Sequence, residues 1–124
     1  MTAPQILVVD DEPMLRAALS RVLERSGFVV VTADCGAAAL EVMSQTPVPM
    51  IISDMKMPGM TGLELLAQVQ QRWPRTLRLV LTAEFDGALI LAIQNCQVHR
   101  CVGKPWDNEV LTTLVRSLFE KFRN

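Results

Sequence analysis

The chain has 124 residues, of which half are hydrophobic and a fifth are charged, and its formal net charge at pH 7 is −1. That length fits one domain with a hydrophobic core, and no apolar run approaches the ~20 residues that a membrane span needs. The near-neutral balance gives no basic field that would hold nucleic acid by its phosphates, so direct nucleic-acid binding is not expected.

Two apolar patterns alternate along the chain. Short runs of apolar, often β-branched residues predict buried strands, and segments with apolar residues at helical spacing predict helices. The predicted order is a strand over 5–10, a helix from Pro13 to Gly27, a strand over 28–33, a helix over 37–44, a strand over 50–53, a helix between Thr61 and Pro74, a strand over 76–82, a helix over 86–96, a strand over 99–103 and a helix after Asp107. Thr61 has capping-box spacing to Glu64 and is predicted to cap the third helix, and Asp107 is predicted to cap the fifth. This alternation predicts the α/β class: a (βα)5 doubly wound, five-stranded parallel sheet with helices on both faces.

Polar residues stand at the ends of four of the predicted strands. Asp10 and Asp11 follow the first strand, Asp54 the third, Thr82 the fourth and Lys104 the fifth. Because the carboxyl ends of parallel strands meet at one edge of the sheet, where such folds bind ligands, these side chains are expected to gather there. Three carboxylates crowded together repel one another unless a cation joins them, and Mg²⁺ suits a site with few carboxylates and several waters.

This set of residues suits phosphoryl transfer. Asp54 would be the nucleophile, the ion would neutralise phosphoryl oxygens, and Lys104 and Thr82 would bind the rest of the group. Each residue alone has a simpler interpretation: Asp10 and Asp11 as a helix cap, Asp54 as a turn former, Thr82 and Lys104 as ordinary surface groups. Their convergence on one sheet edge favours the site.

Four sequence blocks, LVVDDE, IISDMKMPGMTGLELL, LTA and GKPW, resemble the response-regulator receiver domain of two-component signalling, over essentially the whole chain. The resemblance implies a flavodoxin-like fold in which Asp54 is phosphorylated by a histidine kinase or a phosphotransfer protein. It also implies that Asp11, Asp54 and the backbone carbonyl of Lys56 bind Mg²⁺ directly and that Asp10 acts through a metal-bound water. Thr82 would be the switch hydroxyl, Lys104 would contact the phosphoryl group, and the bond from Lys104 to Pro105 is often cis in this family, although base rates favour trans.

Three positions concern the surface that such a domain switches. Cys101 departs from the Tyr or Phe that many receivers have there, and a small core residue is favoured over altered switch coupling. Leu91 lies in a predicted helix that is apolar on every side, so at least one of its residues is expected to face outward. A dimer or effector surface formed by the fourth helix, fifth strand and fifth helix is slightly favoured over a deeply packed helix. Trp106 is either a packing residue or a sign of an output domain that does not bind DNA.

Lys56 and Glu84 flank the expected site, each two positions beyond a key residue. In receivers, these positions tune the phosphoryl lifetime because they govern water access. An ion pair between them would shield the acyl phosphate, but separately solvated charges are favoured here because an exposed pair contributes little.

Residues 1–124 are expected to form one receiver domain. The helical pattern that runs up to Asn124 leaves open a longer protein with a C-terminal output domain. An odd number of cysteines without CxxC spacing, and an N-terminus without a signal-peptide pattern, favour a reducing cytoplasm. Two alternatives to the phosphoacceptor stay open: a phosphorylation-independent interaction module, and a small phosphohydrolase with an aspartyl-phosphate intermediate.

Overall fold

The computed structural model describes residues 5–122, in which five strands alternate with five helices. In chain order the elements are β1 (Gln5–Val9), α1 (Pro13–Arg25), β2 (Val29–Ala33), α2 (Gly36–Gln45), β3 (Met50–Asp54), α3 (Gly62–Arg72), β4 (Leu77–Thr82), α4 (Gly87–Gln94), β5 (Arg100–Gly103) and α5 (Asn108–Lys121). All five predicted strands and all five predicted helices are present.

The strands form one parallel sheet in the order β2-β1-β3-β4-β5. Since β1 and β3 are neighbours, the residues that follow β1 lie beside Asp54, the last residue of β3. Thr82 at the end of β4 is in register with Gly103 of β5, which immediately precedes Lys104. The predicted flavodoxin-like (βα)5 fold is therefore confirmed, and its register brings four strand ends together.

Helices cover both faces of the sheet, because alternate strand residues point to opposite sides. Leu7 and Val9 of β1 belong to a core beneath α2, α3 and α4. Ile6 and Val8 belong to a second core beneath α1 and α5. Strands β3 and β4 are buried along their whole length, as expected for the centre of a doubly wound sheet.

The predicted helix boundaries agree with the structure at the capped starts of α3 and α5, and differ from it at the end of α4. Thr61 caps α3 in a capping box with Glu64, and Asp107 caps α5, as the sequence predicts. Helix α4 is shorter than predicted because Cys96, with φ of 60°, adopts a left-handed conformation that a helix cannot continue through.

Among residues 5–122, no helix combines the length and the apolar character that crossing a membrane requires. The peptide bond between Lys104 and Pro105 is cis, in agreement with the family resemblance.

Candidate functional site

Three carboxylates meet at the carboxyl edge of the sheet. Asp10, Asp11 and Asp54 each offer an oxygen, and these oxygens lie within 4.8 Å of one another. We refer to these three residues as the acid group. Asp10 and Asp54 are buried whereas Asp11 is exposed, so solvent does little to relieve the repulsion between the two buried carboxylates.

Lys104 provides the positive charge nearest to the phosphoacceptor candidate. Its Nζ forms an ion pair with Oδ1 of Asp54, and the Met55 N–H donates to the same oxygen at 3.0 Å. The Lys104 N–H donates to the Thr82 carbonyl at 2.9 Å, which fixes the start of the lysine next to the end of β4. One carboxylate oxygen of Asp54 is thus held by two donors: the next residue in the chain, and a lysine that the register of the sheet brings close.

The junction between β1 and α1 orients the first two acids. The Glu12 N–H donates to Oδ1 of Asp10 at 2.9 Å, and Nη1 of Arg16 donates to the Asp10 carbonyl at 2.7 Å. Burial is the main reason that the pKa of Asp10 is raised above its usual value, and the charges of Asp54 and Asp11 raise it further. The Glu12 hydrogen bond and the Lys104 charge oppose this increase in pKa. A divalent cation would relieve the repulsion that remains.

Thr82 is engaged with the loop that follows it. Its hydroxyl donates to the Glu84 carbonyl at 2.6 Å and accepts from the Glu84 N–H at 3.0 Å. A cavity of about 220 Å³ opens beside it, and it is lined by Glu12, Asp54, Met55, Lys56, Thr82, Ala83, Glu84 and Lys104. Because a hydroxyl has a single proton to donate, it would have to give up its bond to the Glu84 carbonyl before it could donate to a group attached to Asp54.

Lys56 and Glu84 form an ion pair at the mouth of this cavity, with Nζ and Oε1 3.0 Å apart. The expectation of separately solvated charges was therefore wrong. Both side chains remain largely exposed, at 78% and 68%, so the pair contributes at most about 1 kcal/mol to stability. Because the two residues come from different loops, the pair spans the cavity entrance.

The remaining predicted positions lie outside the acid group. Leu91 is 57% exposed on α4, which confirms that this apolar helix turns at least one large side chain outward. Cys101 is half-buried and packs against the core beneath α2, α3 and α4. Trp106 packs against the core beneath α1 and α5, and its Nε1 donates to Oδ1 of Asn108 at 3.0 Å.

Sequence reasoning missed the residues that act on backbone atoms of the site. The Ser53 hydroxyl donates to the Asp54 carbonyl at 2.9 Å, and Gly62 packs so closely on that carbonyl that an added Cβ would lie 2.1 Å from the oxygen. Arg16 was counted only as part of a helix. A side chain bound to a carbonyl leaves no spacing signature, whereas the acids do because they stand at or just after the end of a strand.

The fold is thus an α/β domain with a doubly wound parallel sheet, and three carboxylates that could hold a metal ion lie beside a lysine at the carboxyl edge, where such sheets bind ligands. The chain belongs to the response regulator receiver domain family, whose model matches residues 6–116.

Solved structures agree with that membership. The signal receiver domain of an HD domain-containing protein from Pseudomonas fluorescens has a TM-score of 0.90 and 31% identity, over 98% of this chain and 90% of that chain. The chemotaxis protein CheY4 of Vibrio cholerae has a TM-score of 0.85 and 31% identity, over 93% of this chain and 98% of that chain.

Curated relatives are much longer proteins. The hydrogenase transcriptional regulatory protein HoxA of Cupriavidus necator is 35% identical over 116 residues, which are 93% of this chain and 24% of the relative. The response regulator protein FleR of Pseudomonas aeruginosa is 35% identical over 115 residues, which are 91% of this chain and 24% of the relative. This chain spans about a quarter of the length of these relatives.

Proposed function

We propose that this receiver domain is a phosphorylation switch in which Asp54 accepts a phosphoryl group from a histidine kinase or phosphotransfer protein in a Mg²⁺-dependent reaction. The observation that carries the proposal is the ion pair between Lys104 and Asp54 beside the two further carboxylates of the acid group. Lys104 would stabilise the negative charge that a phosphoryl group brings to the buried Asp54, and the two further acids could hold a cation that does the same.

The donor set fits Mg²⁺, which favours hard oxygen ligands and keeps several waters. Asp11, Asp54 and the backbone carbonyl of Lys56 would hold the ion directly, and Asp10 would act through a bound water. When bound, the ion would neutralise negative charge on the phosphoryl oxygens. Burial is the main cause of the raised pKa of Asp10, and the charges of Asp54 and Asp11 add to it, so a cation bound beside the acid group would favour the ionised form of Asp10.

The hydrogen bonds to the Asp54 carboxylate support Oδ2 as the oxygen that would react. Oδ1 is held by Lys104 and the Met55 N–H, whereas no group among residues 5–122 donates to Oδ2. Oδ2 would attack phosphorus, so that an O–P bond forms while the P–N bond to the donor histidine breaks. The electron pair of that bond leaves with the imidazole, and Lys104 remains beside the new negative charge.

The switch would follow from a change of partner at Thr82. Phosphoryl oxygens on Asp54 would compete with the Glu84 carbonyl for the proton of the Thr82 hydroxyl, and the loop before α4 would lose that hydrogen bond. The exposed apolar residues Phe85, Ile90 and Leu91 lie on or just before α4. We therefore propose that the surface formed by α4, β5 and α5 changes partners, with an output domain, an effector protein or a second copy as the occupant.

The longer relatives support a role as the input part of a larger regulator or as a partner of a separate effector. The domain itself is proposed to bind no nucleic acid, and to act as a signalling phosphoacceptor rather than as an enzyme with turnover. A kinase donor and three free cysteines support a reducing, cytoplasmic setting.

The first experiment is intact-mass analysis after incubation with acetyl phosphate, with Mg²⁺ or with EDTA. We expect a gain of about 80 Da, the mass of one phosphoryl group, that requires Mg²⁺ and disappears in Asp54→Asn. Asp107→Asn is the matched control, because it makes the same substitution at a residue that caps α5 and belongs neither to the acid group nor to the lining of the cavity. A gain of equal stoichiometry in Asp54→Asn would contradict the proposal.

Two other results would point to the alternatives. Multiple turnover of a phosphomonoester would indicate a phosphohydrolase. Failure to bind Mg²⁺, combined with no labelling by either acetyl phosphate or a histidine kinase, would indicate an interaction module that works without phosphate.

A further inference from the structure

Arg16 makes an unusual contact for a residue in the first turn of α1. Its guanidinium reaches back past the helix start, and Nη1 donates to the carbonyl oxygen of Asp10 at 2.7 Å. Its own backbone follows the helix, since the Arg16 N–H donates to the Glu12 carbonyl and the Arg16 carbonyl accepts from the Ser20 hydroxyl. The side chain therefore ties the helix to the end of the strand that carries the acids.

The Asp10 carbonyl has no sheet partner to hold it. The Asp10 N–H still donates to Ala33 of β2 at 3.2 Å, but no backbone N–H among residues 5–122 donates to the Asp10 carbonyl. The carbonyl and the N–H of the next residue belong to one rigid plane, because a peptide bond is planar. A hydrogen bond that fixes this oxygen also fixes the direction in which Asp11 leaves the strand.

The acid group needs that direction to be defined. Asp10 is already fixed twice, by its N–H and by the Glu12 N–H on its carboxylate. Asp54 is fixed by Lys104 and Met55. Arg16 supplies the corresponding constraint for the peptide plane that leads into Asp11, the acid expected to contact the ion directly.

We propose that Arg16 is a positioning residue for Mg²⁺ binding, acting through the backbone of the acid pair and not through its charge. The inference rests on the proposed function, because it concerns the same cation. It differs from a purely stabilising role in predicting a change in metal affinity in protein that remains folded.

Charge alone predicts the opposite result, and this makes the proposal testable. Removing a cationic side chain near a cation site weakens repulsion of the incoming ion, so electrostatics would tighten Mg²⁺ binding. Losing the positioning bond would weaken it. Groups that orient metal ligands typically contribute 10–100-fold to affinity, and a contact one peptide removed from the ligand is expected at the low end, about tenfold.

The experiment is a Mg²⁺ titration followed by amide chemical shifts in ¹⁵N-labelled full-length chain. We compare the parent with Arg16→Met, which keeps an unbranched stem without donors, Arg16→Lys, which keeps the charge and a donor, and Arg21→Met. Arg21 is the matched control, because it is an exposed arginine of α1 that lines one surface groove together with Arg16. The spectra also show whether each variant remains folded.

We expect the Mg²⁺ dissociation constant to rise about tenfold in Arg16→Met, to rise less in Arg16→Lys, and to stay within twofold or fall in Arg21→Met. An Arg16→Met constant equal to or below that of the parent would overturn the inference and leave the proposed function intact. If the parent itself binds no Mg²⁺, the proposed function fails and the inference fails with it. If Arg16→Met does not fold, Arg16→Lys and Arg16→Gln decide, and parent-like affinity in both would overturn the inference.

Discussion

His99, the chain's single histidine, accepts a hydrogen bond that requires it to be neutral. Its Nδ1 accepts from the Arg78 N–H at 3.0 Å, so a proton on this nitrogen would remove the bond. Burial lowers the pKa of His99, and the neighbouring charges of Arg78 and Arg100 lower it further. The folded chain therefore binds a proton at His99 less readily than the unfolded chain does.

This difference predicts a loss of stability in mild acid. Above the unfolded pKa of about 6.5, the imidazole is neutral in both states and its hydrogen bond is fully present. As the pH falls below that value, the unfolded state gains the proton first, and the free energy of unfolding decreases by at most about 1.4 kcal/mol per pH unit until the folded pKa is reached. Urea unfolding of untagged protein between pH 7.5 and 5 measures this slope.

His99→Asn is the informative variant, because an amide oxygen offers an acceptor that does not titrate in this range. We expect its unfolding free energy to vary less between pH 7.5 and 5 than that of the parent. Since the chain has one histidine, no other imidazole contributes to the difference. Equal slopes in the two proteins would contradict the assignment.

Site residues differ in how far they could be predicted. Asp10, Asp54, Thr82 and Lys104 were located from the sequence because each stands at or next to a strand end, and a parallel sheet aligns those ends. Arg16 could not be found in this way, because its acceptor is a carbonyl that becomes available only when the strand and helix are folded. The ion pair of Lys56 with Glu84 was considered from the sequence but judged less favourable than separately solvated charges, because an exposed pair contributes little energy. The folded chain nevertheless brings the two loops, 28 residues apart, close enough for the pair to form.

At the scale of elements, the start of α3 packs directly against the backbone of Asp54, the proposed phosphoacceptor. The Gly62 N–H donates to the Met55 carbonyl at 2.9 Å, and the glycine faces the Asp54 carbonyl without room for a side chain. Gly87 stands at the equivalent first position of α4, and a Cβ added there would meet no atom within 4 Å. The same substitution at these two glycines therefore separates close packing from helix propensity.

Gly62→Ala is expected to lower stability by about 2 kcal/mol or more and to slow phosphorylation by acetyl phosphate, because the backbone of Asp54 has to move. Gly87→Ala is expected to change stability by less than about 1 kcal/mol, in the stabilising direction, because alanine is the better helix former. Thermal unfolding and the intact-mass time course measure both effects. Parent-like labelling by a folded Gly62→Ala protein would show that α3 does not position Asp54.

Element boundaries follow the same division between local and non-local causes. The caps at Thr61 and Asp107 were predicted because serine, threonine and aspartate caps have strong local preferences. The start of α2 was placed one residue late, because Cys35 caps it through a weak bond in which Sγ accepts from the Ala38 N–H at 3.5 Å. A thiol is not among the preferred caps, so the sequence contained no signal for it.

For the molecule as a whole, strand β4 connects two functionally different ends of the sheet. Its last residue, Thr82, faces the proposed phosphoryl site, and Arg78 lies four residues earlier toward the other end. Arg78 is 3% exposed, and its guanidinium donates four hydrogen bonds of 2.7–3.1 Å to backbone carbonyls. These carbonyls belong to the segment before β4 and to the loop between α4 and β5: Pro74, Thr76, Cys96 and Gln97.

The Arg78 contacts hold the loop that follows α4, while the loop before α4 depends on Thr82 and the exposed ion pair of Glu84. The side chain of Gln70 adds a further bond to the loop after α4, donating to the Asn95 carbonyl at 3.1 Å. Two ends of one helix are thus held with different strength. A change at Thr82 would be transmitted to the start of α4 with its far end fixed.

Arg78→Met therefore tests how strongly the far end is anchored. Methionine fills a similar elongated space but leaves four buried or partly buried carbonyls without their donor, and each unpaired buried group costs about 1–3 kcal/mol. We expect the free energy of unfolding to fall by about 3 kcal/mol or more, and by less in Arg78→Lys, whose ammonium reaches fewer acceptors.

Arg75→Met, at an exposed position three residues earlier, is the control and should stay within about 0.5 kcal/mol of the parent. Urea unfolding at pH 7.5, where His99 is neutral, keeps the two effects apart. A loss of less than 1 kcal/mol in Arg78→Met would show that the loop after α4 is held by packing of Ala92 and Val98 and not by the guanidinium.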